Sequence, residues 1–230
     1  MFLDIETVPQ HNSYNAMSKQ WKQLWDKKAG YLVREEQTPE SIYSRAGIYA
    51  EFGKIICISV GYLVIKRNQK QLRVKSFYGD DEKDVLVRFS KLLKGNFKTD
   101  DHYLCAHNGK EFDFPYLCRR MLVNGLKLPR MLDISGKKPW EVRHLDTMHL
   151  WKFGDYKNYI SLETLAAIFK IESPKSDLDG SMIYDVYYRE QDLVRIVKYC
   201  QQDVVTLARL YLKMTSQSIV DQIEIHYADK

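Results

Sequence analysis

Met1-Phe2-Leu3-Asp4-Ile5-Glu6 opens the chain, and its alternation decides how the rest is read. Side chains alternate faces along a strand, so Leu3 and Ile5 share one face while Asp4 and Glu6 share the other. The apolar face suits a core. The acidic face is costly to bury unless something compensates the two charges. Only three residues precede Asp4, against a usual strand of about 5–6. Either the strand extends little on that side or the natural chain begins upstream.

Working outward, residues 12–50 read as a polar, helix-rich insertion after this first strand. Trp21, Leu24 and Trp25 fall on one helical face, and Trp21 and Trp25 read as the core of the insertion. Thr38-Pro39-Glu40 reads as a second helix start, with Thr as cap and Pro at the first helical position. Residues 54–65 are strand-like, residues 66–69 a turn, and residues 71–78 a returning strand. Residues 81–94 form an amphipathic helix. Residues 102–107 are a further strand, followed by a helix from Asp113 to a glycine cap at Asn124-Gly125. Residues 128–140 are loop-like, and residues 142–150 are strand or mixed. Ser161 caps a helix to Phe169, and residues 191–214 form the longest helix. Residues 215–230 read as a flexible tail. Strands first, then strands and helices mixed, give an α/β fold with a central mixed sheet flanked by helices. We take residues 1–230 as a single domain.

Composition narrows the class without naming a function. The 230 residues are 45% apolar and 28% charged, with 6 Pro and 11 Gly. That is ordinary globular usage and excludes disordered, collagen-like and coiled-coil chains. The apolar run at 55–65, broken by Ser59 and Gly61, is far short of the ~20 residues of a membrane span, so no membrane partner is expected. No basic segment leads an apolar one at the N-terminus, so no signal peptide is expected. The four cysteines are widely spaced with no CxxC pair, which argues against a disulfide framework and a structural zinc site. A reducing compartment, the cytoplasm, is the expectation. The net charge of +5 permits a nucleic-acid partner without requiring one.

Three segments carry candidate chemistry. Asp4 and Glu6 are crowded hard oxygen ligands of the kind Mg²⁺ or Mn²⁺ requires; the alternative is a strand end whose acids reach water. Asp113 lies where a strand passes through Ala106-His107-Asn108 into a helix, a place where ligands collect; the alternative is a plain helix cap. Tyr199 and Asp203 lie one turn apart on the long helix; the alternative is a packed tyrosine and an exposed acid.

Together, a strand with DxE, a strand–turn–helix with N-x₃-F-D and a late helix with Y-x₃-D resemble the three motifs of the DnaQ-like 3′–5′ exonuclease superfamily, which has a ribonuclease H-like fold. The tyrosine marks the subclass with Asp, Glu, Asp, Asp and Tyr. The sister subclass has His where this chain has Lys198. Phe112-Asp113-Phe114-Pro115-Tyr116-Leu117 and Tyr199-Cys200-Gln201-Gln202-Asp203 look most like the proofreading domain of B-family DNA polymerases and the stand-alone bacterial exonucleases related to it. Ser173-Pro174-Lys175 through Asp179-Gly180-Ser181 is similar to a segment of that group.

The resemblance implies two divalent ions, Mg²⁺ or Mn²⁺, held by Asp4, Glu6, Asp113 and Asp203, with Asp4 bridging and Tyr199 orienting the attacking water. Thr7, Val8 and Asn108 are matched to residues beside the terminal nucleotide. The implied reaction is hydrolysis of the last phosphodiester at a single-stranded 3′ end, DNA favoured over RNA, releasing nucleoside 5′-monophosphates, with a repair or replication partner. The alternatives are an exoribonuclease and a non-catalytic module that binds nucleic acid or a repair partner. Asp146 is a further candidate near the site, or else a strand-end hydrogen bond. Lys152-Phe153-Gly154-Asp155-Tyr156-Lys157-Asn158-Tyr159 interleaves cations and rings that could neutralise phosphates and stack on bases, or is a plain surface loop. His144 and His149 read as structural. Two ions offsetting four of the 30 acids would leave the rest of the chain more basic than the raw charge suggests.

Overall fold

The computed structural model describes residues 1–66, 69–97, 99, 101–155, 157, 159–172, 177–215 and 223–228. Strand β1 (Phe2–Pro9) lies inside a six-stranded mixed sheet. Its antiparallel neighbour is β2 (Gly53–Lys66), which pairs in turn with antiparallel β3 (Gln69–Tyr78). On the other side β1 runs parallel to β4 (Cys105–Ala106), and β4 to β5 (Leu145–Asp146). Strand β6 (Glu224–Tyr227) adds in parallel to the far edge of β3.

The alternation of β1 sets the two layers. Leu3 and Ile5 enter a core with α2 (Glu82–Asn96) and α3 (Asp113–Val123), through Val85, Leu86, Phe89, Phe114 and Leu117. Burying each such apolar side chain contributes about 1.5–3 kcal/mol. Phe2, on the opposite face with Asp4 and Glu6, packs against Val204, Leu207 and Ala208 of α7 (Leu193–Met214). The long helix therefore lies over the acidic face. Helices α4 (Thr147–Lys152) and α5 (Leu162–Ile168) close the end near β5, with Ser161 accepting from the Thr164 N–H as its cap position predicts.

Several expectations are corrected. Strand β1 extends little before Asp4, starting at Phe2, but runs on past Glu6 through a register shift at Glu6/Thr7. The insertion holds α1 (Lys19–Ala29), but no second α-helix starts at Thr38. Thr38 and Ser41 instead exchange hydrogen bonds in a turn, and a 3₁₀ helix follows at Tyr43–Ile48. Its Ser, Tyr, Ile and Gly are weak helix formers, and tight winding seats Gly47 on β1. A Cβ at Gly47 would come within 3.0 Å of the Val8 backbone. Trp25 is fully buried among Tyr43, Tyr49 and Phe52, whereas Trp21 and Leu24 are largely exposed.

The strand expected at 102–107 shrinks to two residues because the chain turns left-handed at Asn108 (φ 60°). Residues 142–150 resolve into β5 and then α4. The long helix is preceded by short α6 (Ile183–Asp185) and a single π turn at Val186–Glu190, neither expected from sequence. The tail reading fails where β6 pairs with the sheet; residues 216–222 and 229–230 lie outside the described residues, as do residues 67–68 of the expected turn and Ser173-Pro174-Lys175. Among the described residues no helix is long and apolar enough to cross a membrane.

Candidate functional site

Three elements meet at the acidic face. Strand β1 supplies Asp4 and Glu6, α3 supplies Asp113 from its first residue, and α7 supplies Tyr199 and Asp203. Burial pushes Asp4 well above the usual carboxylate range, and the charges of Asp203 and Asp113 push it further. Glu6 is raised in the same way, by burial and then by Asp4 and Asp203. Asp113 is raised to about 7, chiefly by burial, and Asp203 to about 6 for the same reason. Asp4 feels the charges of Asp203 and Asp113, and Glu6 those of Asp4, Asp203 and Asp113, so the four acids lie near one another on this face.

Glu6 is only 8% exposed, and among the described residues no hydrogen-bond donor or cation serves it. A buried carboxylate in that state is costly, and a divalent ion would satisfy it. The all-oxygen donor set of Asp4, Glu6, Asp113 and Asp203 fits Mg²⁺ or Mn²⁺.

Asp113 is not a plain cap. Phe112 occupies the cap position, and the Asp113 carboxylate lies beside the Ile5 backbone. Strand β4 pairs with β1 only at Phe2, so the edge of β1 beyond it is left for this contact. Tyr199 lies beside Asp203, and burial and the three acids Asp203, Glu6 and Asp4 raise its phenol, which stays protonated.

Asp146 is buried at 2% exposure and accepts four backbone N–H groups. Oδ1 accepts from Asn108 (3.0 Å), Met148 (2.9 Å) and His149 (3.3 Å), and Oδ2 from Lys110 (3.0 Å). It caps α4 and clamps the left-handed turn that carries Asn108. The side-chain oxygen of Asn108 is buried without a partner among the described residues.

Thr7 and Val8 sit where β1 shifts register. The Thr7 hydroxyl bonds the Tyr116 oxygen, whose own O–H donates to the Gly47 carbonyl at 2.7 Å. Val8 is fully buried beside Ile56 and Ile196, with Gly47 over its backbone. In the interleaved loop, Lys152 is buried over the Tyr159 ring (4.3 Å) and 3.8 Å from Glu111. That lysine serves packing rather than a free phosphate site, whereas Phe153 is 90% exposed. Tyr156 and Asn158 lie outside the described residues. His144 is structural: its ring accepts from the Leu104 N–H and donates to the Met131 carbonyl, and burial lowers it to about 4. His149 is half-exposed, 3.9 Å from Glu111.

Sequence reasoning missed Cys200, which lies among apolar residues of α7. Its thiol lies 3.2 Å from Asp4 Oδ2. The signal was present, since Cys200 is three residues from Asp203 and so shares its helical face.

The chain is similar to several known proteins. A family model described as a predicted 3′–5′ exonuclease related to the exonuclease domain of PolB matches residues 48–226. A DNA polymerase of Pyrococcus glycovorans is 27% identical over 154 residues, covering 59% of this chain and 19% of the polymerase. A DNA polymerase of Pyrococcus horikoshii is 26% identical over 151 residues, covering 59% of this chain and 12% of that protein. The chain thus spans a fifth or less of the length of these relatives. Among solved structures, the family B DNA polymerase of Pyrobaculum calidifontis superposes with a TM-score of 0.50 at 14% identity, over 96% of this chain and 26% of that one. The shared fold is α/β and ribonuclease H-like.

Proposed function

Because the chain belongs to the family of predicted 3′–5′ exonucleases related to the exonuclease domain of PolB, we propose that it hydrolyses the 3′-terminal phosphodiester of single-stranded DNA and releases nucleoside 5′-monophosphates. The observation that carries this reading is the convergence of Asp4, Glu6, Asp113 and Asp203, with Glu6 buried and without a donor. These four side chains would hold two divalent ions. When bound, such ions stabilise the attacking and leaving oxygens of an in-line displacement.

The remaining roles fall to the chain itself. Tyr199, held neutral, is a poor base; its phenol orients the attacking water while Asp203 fixes the phenol. The partnerless oxygen of Asn108 accepts a hydrogen bond from the terminal nucleotide. Thr7 and Val8 border the same end of the strand, held in place by the Tyr116–Gly47 contact.

The test is digestion of 5′-labelled single-stranded DNA and RNA of one sequence, with Mg²⁺, Mn²⁺ or EDTA. The expected result is a ladder shortening from the 3′ end, faster on DNA and abolished by EDTA, Asp4→Ala and Asp203→Ala. Internal cuts, or full activity in both variants, would overturn the reading. Faster RNA digestion would transfer it to an exoribonuclease. Tyr199→Phe should slow cleavage about 10²-fold, the cost of misplacing a reacting group, without shifting the Mg²⁺ midpoint.

A further inference from the structure

The site contains a donor that oxygen-binding ions do not call for. The ligand-capable atoms of Asp4, Glu6 and Cys200 all lie within 4.8 Å of one another. Cys200 Sγ is 3.2 Å from Asp4 Oδ2 and fully buried. A second thiol backs it. Cys57 sits opposite Glu6 in the β1–β2 register and shares a buried cluster with Cys200. Glu6, more than nine-tenths buried and without a donor among the described residues, completes the group.

We propose that Cys200, with Asp4 and Glu6, forms a binding position for a thiophilic divalent ion such as Zn²⁺ or Cd²⁺. Thiolate ligands select soft and borderline ions, whereas carboxylates alone suit Mg²⁺ and Mn²⁺. Zn²⁺ takes sulfur at about 2.3 Å and carboxylate oxygen at about 2.0–2.2 Å, so three ligands drawn onto one ion need only small side-chain movements from the observed spread. Water supplies the fourth tetrahedral position. Binding exchanges a proton for the ion: Cys200 S–H and M²⁺ give the thiolate–metal bond and H⁺, which leaves to solvent. No electron is transferred. Since Asp4 and Glu6 also belong to the proposed hard-ion position, the thiophilic ion competes with Mg²⁺ or Mn²⁺ there. That overlap rests on the nuclease reading, whereas the thiolate ligation does not.

The test is titration of the full chain with Cd²⁺, followed through the ultraviolet thiolate-to-cadmium charge-transfer band. The expected result is a saturable band at one ion per chain, absent from Cys200→Ser. Asp4→Asn should keep the band but weaken Cd²⁺ binding beyond the about 10- to 100-fold cost of losing an outer-shell partner. Cadmium NMR of the unmodified protein, which needs no variant to fold, should report sulfur coordination. A band that persists in Cys200→Ser, arising from Cys105 or Cys118, would overturn the proposal, as would an all-oxygen cadmium shift. Excess Mn²⁺ should displace the titration to higher Cd²⁺; no displacement would sink the overlap. Mg²⁺-dependent cleavage without any thiolate band would sink this inference alone and leave the nuclease intact.

Discussion

At the scale of the residue, Asp146 shows how a carboxylate outside the ion-binding set can still govern it. All four of its hydrogen bonds come from backbone N–H groups, two from the turn carrying Asn108 and Lys110 and two from the first turn of α4. A left-handed non-glycine residue such as Asn108 costs about 1–3 kcal/mol and persists only where its surroundings enforce it. Asp146→Asn replaces one acceptor with a donor and leaves at least one of these N–H groups buried and unmet, at about 1–3 kcal/mol. The Asn108 turn should relax. Steady-state kinetics on single-stranded DNA should show a raised KM, with the Mg²⁺ midpoint no higher, because Asp146 holds no ion and loss of its charge only eases ionisation of Asp113. A raised midpoint with normal KM would assign Asp146 to the ions instead.

At the scale of the element, α2, α3 and β2 are joined by one buried ion pair, and its rupture gives the next prediction. Arg120 of α3 makes a two-bond fork with Glu82 of α2, at 2.9 and 2.6 Å. Glu82 also accepts from the Ile55 N–H of β2 and from Asn124, and Arg120 donates to the Ala50 carbonyl at the end of the insertion. Removing one partner of such a pair typically costs about 3–5 kcal/mol. Arg120→Met should therefore lower the urea midpoint far more than the exposed control Arg88→Met, whose ion pair with Asp84 lies on the surface. The same elements explain what the sequence could and could not reveal. The face alternation of β1, the helices α2, α3 and α7 and the DxE segment are local patterns, legible without a structure. The two-residue strands β4 and β5 are not, because their pairing is decided by the Asn108 turn and by Asp146 some forty residues later in the chain. Strand β6 shows no strong pattern of its own, and its pairing with β3 gives it its form. The Thr38 region carries a sound cap signal, yet Thr38 and Ser41 close a turn on each other instead of starting a helix. Cys200 was masked by its apolar company on α7.

At the scale of the whole molecule, the strongest consequence is the free energy held in the acidic pocket without ions. Asp113 rises from 3.8 to about 7 and Asp203 to about 6. Between about pH 4 and 7 the folded state therefore holds more protons than the unfolded one, so these groups make stability fall as pH rises through that window. His144 runs the other way. Lowered from 6.5 to about 4, it draws a proton on unfolding and makes stability fall as pH drops through 6.5 toward 4. In EDTA the two trends oppose each other, and the melting temperature alone separates them poorly. A divalent ion that binds only the folded, ionised pocket adds stability by mass action, while the His144 contribution is common to both conditions and cancels in the difference. The melting-temperature increment produced by Mg²⁺ should therefore grow from pH 5 to pH 8. Asp4→Asn should shrink that increment. It should also raise the melting temperature in EDTA at pH 8, because one of the mutually repelling buried charges is gone. Differential scanning calorimetry of both proteins, with Mg²⁺ and with EDTA at each pH, measures all of these. An increment that is flat with pH, or an Asp4→Asn protein less stable than the parent in EDTA at pH 8, would mean that the acids do not carry the charge conflict assigned to them.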